Sequence, residues 1–230
     1  MTGFNGFPRE CITFFRYLAR HNTTSWFAQH RDEYEEYVLT PARLFVMDMG
    51  VLLRTLAPNI IADPRVNRSL FRVNRDTRFS PNKTPYKTHL GILFWEGIGP
   101  RLECSGFYLH LEPESLFLGA GVYRFPDTFL PSYREAVIHK WKGAALAQVI
   151  AEMTVKGPYT IGGVHYKRVP RGFDPNHPNA PFLLHTGLWA GIETPLPEKL
   201  HSRMLLNYCY ERFSDTAPLH RWLTDLVEWR

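Results

Sequence analysis

Cysteine is scarce in this sequence, and its three copies are widely separated. Cys11, Cys104 and Cys209 are odd in number and form no C-x-x-C pair. These spacings argue against a disulfide framework and against a thiolate metal site, because both use cysteines in matched sets. The sequence therefore predicts a protein of a reducing compartment.

Long uninterrupted apolar segments are also absent. The most apolar stretch, residues 42–56, contains Arg43, Asp48 and Arg54, and the N-terminus lacks a basic segment followed by an apolar run. A membrane-spanning helix needs about 20 predominantly apolar residues, and a secretory signal needs that N-terminal pattern. We therefore expect a soluble, cytoplasmic protein that does not enter membranes.

Familiar signatures of catalysis and cofactor binding are missing too. The sequence has no G-x-S-x-G, Cys-His or H-E-x-x-H pattern and no glycine-rich phosphate loop. Asp174, His177 and His185 are only loosely suggestive of a metal site, and His177 is expected instead to bond backbone within a rigid turn. The sequence predicts no metal site and assigns no cofactor.

Positive charge, by contrast, is concentrated in one place. Residues 68–89, called the basic segment below, contain six Lys or Arg residues and a single acid, Asp76. The whole chain has 27 basic and 22 acidic residues, so the entire net charge of +5 belongs to this segment. Crowded like charges cost stability unless an anion compensates them. The segment therefore predicts a focal anion-binding site.

Apolar residues recur at helical spacing in several parts of the chain. With 230 residues, 44% of them hydrophobic, the sequence has enough apolar material for a single packed domain. Prolines mark where several of these segments begin or end. The predicted helices cover about 8–20, 25–37, 41–57, 131–153, 196–213 and 217–229.

Short segments rich in β-branched and aromatic residues predict strands between the helical regions. They are Leu70–Phe79, Leu90–Trp95, Gly106–Leu111 and Ser115–Phe125, with a hairpin at Tyr159–Val169. Their connections are too short for crossover helices, so neighbouring strands should pair as an antiparallel meander. The predicted fold is α+β, a mainly antiparallel sheet packed against N-terminal and C-terminal helices in one domain. Its layout is a helical layer (1–66), the sheet with an inserted helix (67–170), and a proline loop with C-terminal helices (171–230).

Strand alternation then predicts which side chains share a surface. It places Tyr108, His110 and Glu112 on the polar face of one strand and the basic side chains of Leu70–Phe79 on the polar face of another. Arg75 falls on the apolar side, which implies an edge position or a bulge. A stiff loop follows at Lys83–His89, since its prolines prevent a helix. The predicted ligand-binding residues are Arg72, Arg75, Arg78, Lys83, Tyr86, Lys87 and Arg171.

Three residues are candidates for acid or base catalysis, if the protein is an enzyme. Asp76, His110 and Glu112 are a carboxylate, an imidazole and a carboxylate placed beside guanidinium groups, which shift the pKa of such neighbours. A simpler interpretation is a solvated strand face with weak ion pairs. The local shortage of acids favours the anion site over that interpretation.

The order of several separated motifs resembles a known family. The runs Leu70–Ser80, Lys83–His89, Tyr108–Pro113 and Arg168–Pro178, together with Asn22–Phe27, are similar to domain-of-unknown-function family 2461. The chain departs from the usual pattern only in small ways, at Val169 and Asn176. The resemblance implies a single soluble domain of helices and strands, and it brings no catalytic residue or cofactor with it.

Three functions remain open at this point. The first is a basic pocket for a small phosphorylated or carboxylated ligand, catalytic or not. The second is nucleic-acid binding, which the pI of 9.2 and the aromatic residues within the basic segment permit. The third is a structural or adaptor domain whose protein partners the sequence does not reveal. The focal charge favours the first, because a nucleic acid needs a longer positive stripe.

Overall fold

Helices form the first part of the chain. The computed structural model describes residues 3–227, and its N-terminal helices follow one another closely. They are α1 (Arg9–Arg20), α2 (Thr24–Gln29), α3 (Arg31–Glu33), a π-helical segment (Tyr34–Leu39) and α4 (Thr40–Leu53). Pro8 caps α1 and Pro41 lies in the first turn of α4, where a missing N–H costs no hydrogen bond. The predicted helices at 8–20 and 41–57 are thus confirmed.

One antiparallel sheet of five strands is found in the described residues. Its strands lie in the order β1-β2-β3-β5-β4. The strands are β1 (Leu90–Trp95), β2 (Gly106–Leu111), β3 (Ser115–Val122), β4 (Thr160–Val164) and β5 (His185–Pro195). Two helices, α5 (Leu130–Ile138) and α6 (Lys140–Lys156), separate β3 from β4. The α+β class is confirmed, and the first two predicted strand ranges after the basic segment match β1 and β2 at both ends.

The predicted strand Leu70–Phe79 is wrong. This stretch is irregular and has only isolated bridges, which join Leu70 to Val66 and to Ile92, and Asn74 to Tyr86. The Asp76 carboxylate accepts a hydrogen bond from the backbone N–H of Arg78 at 3.2 Å. Such local side-chain bonds compete with a strand ladder, and they turn the chain where alternation alone predicted extension.

The predicted hairpin at Tyr159–Val169 is also wrong, because β4 pairs with β5 instead. The pairing is antiparallel and brings Gly162 opposite Trp189. A Cβ on Gly162 would lie 2.0 Å from Cζ2 of the indole, so only glycine leaves room for that ring. The sheet therefore extends beyond residue 170 into the region predicted to be a proline loop.

The end of the described chain forms one long helix where two were predicted. A 3₁₀ turn at Glu198–His201 precedes α7 (Met204–Val227), which continues through Pro218. An internal proline costs a helix about 3 kcal/mol. Leu219 and Leu223, buried next to it in the core, offset that cost. Residues 228–229 of the predicted last helix lie outside the described residues.

The chain groups into two compact units. Unit 1 comprises the chain up to Phe94, Tyr108–Leu118 and Glu193–Glu211. Its core includes packed rings of Phe4, Phe7 and Phe45, and Phe45 also contacts Phe94 of β1 at 6.4 Å between centroids.

Unit 2 comprises Trp95–Phe107, Gly119–Ile192 and the chain from Arg212. Its core contains Phe125, Tyr133 and Trp222, with aliphatic residues around them. The single domain over 1–230 remains a prediction. Within the described part of the chain, no helix combines the length and apolar character needed to cross a membrane.

Candidate functional site

The basic segment is held in its irregular shape partly by its own cations. The guanidinium of Arg75 donates a hydrogen bond to the hydroxyl of Thr84, and the ammonium of Lys83 donates to the backbone carbonyl of Thr77 at 2.8 Å. Arg75 is half-buried, whereas Lys83 is exposed. Both were predicted to contact a ligand, and in this structure both tie parts of the segment together.

Asp76 is paired closely with Arg78. Two hydrogen bonds of 2.7 and 3.0 Å join the guanidinium of Arg78 to the two carboxylate oxygens. These bonds, reinforced by the charge of Arg72, lower the pKa of Asp76 to about 2. A carboxylate ionised at every physiological pH is a poor proton donor and a weak base. The geometry therefore favours an orienting role for Asp76 over a catalytic one.

Tyr86 belongs to the aromatic core of unit 1. Its ring stacks on Phe27 with centroids 4.2 Å apart, and only 9% of the residue is exposed. The side chain of Asn22 accepts from the Tyr86 N–H and donates to the Tyr86 carbonyl, both at 3.0 Å. The buried side chain of Tyr86 therefore anchors the loop to the core of unit 1. This burial does not support its predicted contact with a ligand.

Phe71 links the basic segment to the sheet, and Lys87 packs over its ring. The ammonium of Lys87 donates to the Arg72 carbonyl at 2.9 Å and lies 5.4 Å from the centroid of the Phe71 ring. Phe71 in turn meets the ring of Tyr108 edge-on, with centroids 5.9 Å apart. These contacts bring Arg72 and Lys87 beside the polar face of β2.

The polar face of β2 forms a hydrogen-bonded row, as alternation predicted. Leu109 and Leu111 are buried, while the hydroxyl of Tyr108 lies 2.9 Å from Nδ1 of His110. Nε2 of His110 lies 3.0 Å from a carboxylate oxygen of Glu112. The side chains of His110 and Glu112 are 24% and 48% exposed, so solvent reaches the end of the row. This arrangement can pass a proton between an imidazole and a carboxylate.

His89 joins this row, although sequence reasoning did not select it. It immediately precedes β1, and its ring centroid lies 4.0 Å from that of His110. Burial, followed by the positive charges of His110 and Lys87, lowers the pKa of His89 to about 3, which keeps the ring neutral. The signal in the sequence that could have identified His89 is its position directly before the predicted strand Leu90–Trp95, which neighbours β2.

These contacts connect six of the predicted site residues, namely Arg72, Asp76, Arg78, Lys87, His110 and Glu112. Arg78 binds Asp76, and the charge of Arg72 acts on Asp76. Lys87 donates to the Arg72 carbonyl and lies over the Phe71 ring, which contacts Tyr108 of the row on β2. We call this surface of unit 1 the cationic-polar face; it consists of Arg72, Asp76, Arg78, Lys87, His89, Tyr108, His110 and Glu112. Arg171 is exposed and belongs to unit 2, so these contacts do not include it.

A second polar cluster, which sequence reasoning missed, lies in unit 2. Nδ1 of His220 lies 2.9 Å from the hydroxyl of Ser105, and its Nε2 lies 2.8 Å from a carboxylate oxygen of Glu96. Ser105 and His220 are 4% and 1% exposed. Their burial makes this a satisfied structural network and not a site that a substrate reaches.

The proline-rich loop contains a structural histidine, as predicted. Nδ1 of His177 accepts a hydrogen bond from the backbone N–H of Asn179 at 3.1 Å. Asp174 likewise accepts from the backbone N–H of Asn176 at 2.9 Å. Both side chains stabilise turns, so neither needs a metal to explain its position.

A groove of about 380 Å³ lies in another part of unit 1. It is lined by residues of α4, by Arg203 and by the first turn of α7, with an ion pair of 3.4 Å between Asp48 and Arg203 at its polar side. Asp48 also accepts the backbone N–H of Phe4 at 3.0 Å. The residues of the cationic-polar face do not line this groove, so the two features are separate.

An antiparallel sheet flanked by helices, with an irregular cationic segment beside a polar strand face, defines the molecule as an α+β protein. The chain belongs to the conserved hypothetical protein family DUF2461, whose profile matches residues 10–222. The resemblance drawn from its motifs is thereby confirmed. A comparison with curated proteins gives no match.

Proposed function

We propose that the cationic-polar face binds a small ligand that carries a carboxylate or a phosphate group. The observation that carries this proposal is the series of contacts from the Lys87 ammonium to the Phe71 ring and from that ring to Tyr108, which supports a cation close to the row on β2. Arginine and lysine are the usual partners of such anions.

The balance of charge supports the same proposal. Arg78 has a bidentate partner in Asp76, but that carboxylate is the single acid of the segment. The basic residues of the segment therefore outnumber its acids by five. A bound anion compensates this excess, and the row of Tyr108, His110 and Glu112 supplies hydrogen-bonding groups for the rest of the ligand.

Catalysis at this face would use His110 and Glu112. The two groups are hydrogen-bonded at 3.0 Å and are partly open to solvent, so a bound ligand can exchange a proton with the pair. Asp76 is less suited to this role because Arg78 holds it ionised.

A thermal-shift screen tests the proposal. The protein is melted with inorganic phosphate, nucleotides, sugar phosphates and organic acids, and each melting temperature is compared with that of the free protein. A ligand present at 100 times its Kd stabilises the native state by about 2.7 kcal/mol. We expect at least one of these anions to raise the melting temperature in a saturable manner.

Matched variants assign the effect to the face. Arg72→Gln and Lys87→Gln should lose the ligand-dependent rise, each measured against its own free protein, while Arg54→Gln should retain it. Arg54 is an exposed arginine of unit 1 at the end of α4, outside the basic segment. The proposal is overturned if no anion stabilises the protein, or if the two face variants respond as the parent does.

Nucleic-acid binding is a second candidate because of Phe79. Its ring is 92% exposed and lies beside the guanidinium of Arg78, 5.8 Å from the centroid, which suits stacking of a base. Oligonucleotide affinity measured against salt separates the two functions. A small-anion site should give a slope of log K against log salt of about −2 to −3, whereas about −6 or steeper indicates a strand of phosphates and would replace the first proposal.

A further inference from the structure

We propose that His89, His110 and Glu112 form a binding site for a divalent transition-metal ion of the zinc or iron type. One potential ligand atom from each residue lies within 4.8 Å of the other two. Two imidazoles and one carboxylate are a ligand set that such ions bind in proteins. The inference does not depend on the anion proposed above.

The distance between two of the ligands already suits coordination. Nε2 of His110 and the nearer oxygen of Glu112 are 3.0 Å apart. Ligand atoms at about 2.0–2.2 Å from a common tetrahedral ion are separated by about 3.4 Å, so these two atoms need to move apart by only a few tenths of an ångström. Binding of the ion would thus replace the hydrogen bond between these groups, with His89 turning its ring slightly to complete the set.

Tyr108 is placed to hold His110 in the metal-binding tautomer. Its hydroxyl lies 2.9 Å from Nδ1 of His110. Once Nε2 coordinates an ion, Nδ1 carries the proton, and this N–H can donate a hydrogen bond to the hydroxyl oxygen of Tyr108. A hydrogen bond to the second ring nitrogen is the usual support of a ligating histidine. We therefore assign Tyr108 a positioning role.

The backbone fixes these groups before any ion arrives. Glu112 directly follows β2, two residues after His110, and the side chains of the two residues meet at 3.0 Å. The backbone N–H of Glu112 donates to the Ser115 carbonyl at 2.9 Å, which closes the turn into β3. His89 is held by the start of β1. A site supported by strands pays little ordering entropy on binding.

Charge and exposure set the kind of ion and its chemistry. Lys87 acts electrostatically on His89 and opposes a cation, while the Glu112 carboxylate offsets that charge. Magnesium and calcium prefer all-oxygen ligands, so two imidazoles select against them. Three protein ligands leave at least one position for water, and the partial exposure of His110 and Glu112 gives a small molecule access to it.

Metal titration of the chelator-treated protein tests the site. Isothermal titration with Zn²⁺ should show one strong site per chain, titration with Mg²⁺ should show none, and Co²⁺ should give visible absorption bands of a site with nitrogen ligands. Glu112→Gln and His89→Gln should weaken Zn²⁺ binding at least tenfold, and Tyr108→Phe by about 10-fold to 100-fold.

Two features keep the result interpretable. Glu112 is half-exposed, so Glu112→Gln should preserve the fold, which circular dichroism checks. The control is His165→Gln, at an exposed histidine of unit 2, which should bind Zn²⁺ as the parent does. Absence of a 1:1 site, or equal Zn²⁺ affinity in the parent, Glu112→Gln and His89→Gln, overturns the proposal. None of these measurements involves an anionic ligand, so they stand apart from the screen above.

Discussion

At the scale of single residues, the same positive charge serves two purposes. Arg75, Lys83 and Lys87 all donate hydrogen bonds inside the basic segment. Lys87 also lies over the Phe71 ring, which contacts Tyr108 of the sheet. The sequence showed that these cations are concentrated together, but not which of them fold inward. That choice depends on partners such as the Thr84 hydroxyl and the Thr77 carbonyl, which become neighbours only once the chain has turned.

The row on β2 was predictable because it follows from one local rule. Alternation along a strand places Tyr108, His110 and Glu112 together whatever the rest of the molecule does. His89 comes from a separate segment, so its contact with His110 requires knowledge of strand pairing. Sequence reasoning thus found the part of the candidate site that lies on one strand and missed the part that depends on its neighbour.

The first prediction at this scale concerns His185, whose imidazole is buried. Nδ1 contacts the Pro181 carbonyl at 3.2 Å, while Nε2 is buried without a hydrogen-bond partner among the described residues. Burial lowers the pKa of His185 below its usual range. The unfolded chain therefore binds a proton more readily, and stability should fall as the pH drops below about 6.5.

Denaturant unfolding between pH 7 and pH 5 measures this effect. His185 should account for at most about 2 kcal/mol of the loss at pH 5, the limit set by protonation of the unfolded chain. His185→Gln should therefore show a shallower decline than the parent, and His165→Gln, at an exposed site, should not. Parallel declines in the parent and in His185→Gln would contradict the assignment.

At the scale of elements, sequence periodicity predicted the helices and strands whose ends are set by nearby residues. Helix α1 and strands β1 and β2 have strong periodicity and clear end signals, and their bounds were predicted closely. Strand β5 was missed because its glycines and flanking prolines resemble a loop until β4 pairs with it. A new helix was predicted to begin at residue 217, yet α7 continues through Pro218, where burial of the residues after it stabilises the helix.

A glycine of β4 provides the prediction for this scale. Replacing Gly162 with alanine puts a methyl group 2.0 Å from the Trp189 indole, so either the ring or the strand must move. Overpacking of this kind costs about 1–3 kcal/mol. Gly157→Ala is the control, since its added Cβ would lie an ordinary 3.4 Å from Tyr159 and its backbone φ of 174° is open to any residue.

Urea unfolding of the two alanine variants checks this expectation. Gly162→Ala should have a lower midpoint than the parent, with an unchanged slope, while Gly157→Ala should stay within about 0.5 kcal/mol of it. A Gly162→Ala variant as stable as the parent would mean that Trp189 relaxes freely, and that the close pairing of β4 with β5 does not require glycine.

At the scale of the whole molecule, the chain passes repeatedly between the two compact units. It crosses from one to the other five times, at residues 94/95, 107/108, 118/119, 192/193 and 211/212. Strands β1, β2, β3 and β5 and helix α7 each contain residues of both units. Domains that unfold independently are usually separated by linkers that few elements cross. This connectivity favours the single domain predicted from the sequence.

The last prediction is therefore a single cooperative unfolding transition. Opening one unit alone would break five regular elements partway along their length, and the hydrogen bonds lost there make a half-folded state unfavourable. Hydrogen exchange in increasing urea, followed by mass spectrometry, reports each unit separately through peptides from α1 in unit 1 and α6 in unit 2. Both peptides should lose protection at the same urea concentration, and circular dichroism should give the same midpoint. With a urea slope of about 1–3 kcal/mol/M, a difference of about 0.5 M between the midpoints of the two peptides corresponds to about 0.5–1.5 kcal/mol of unfolding free energy. A larger difference would show that the units unfold independently.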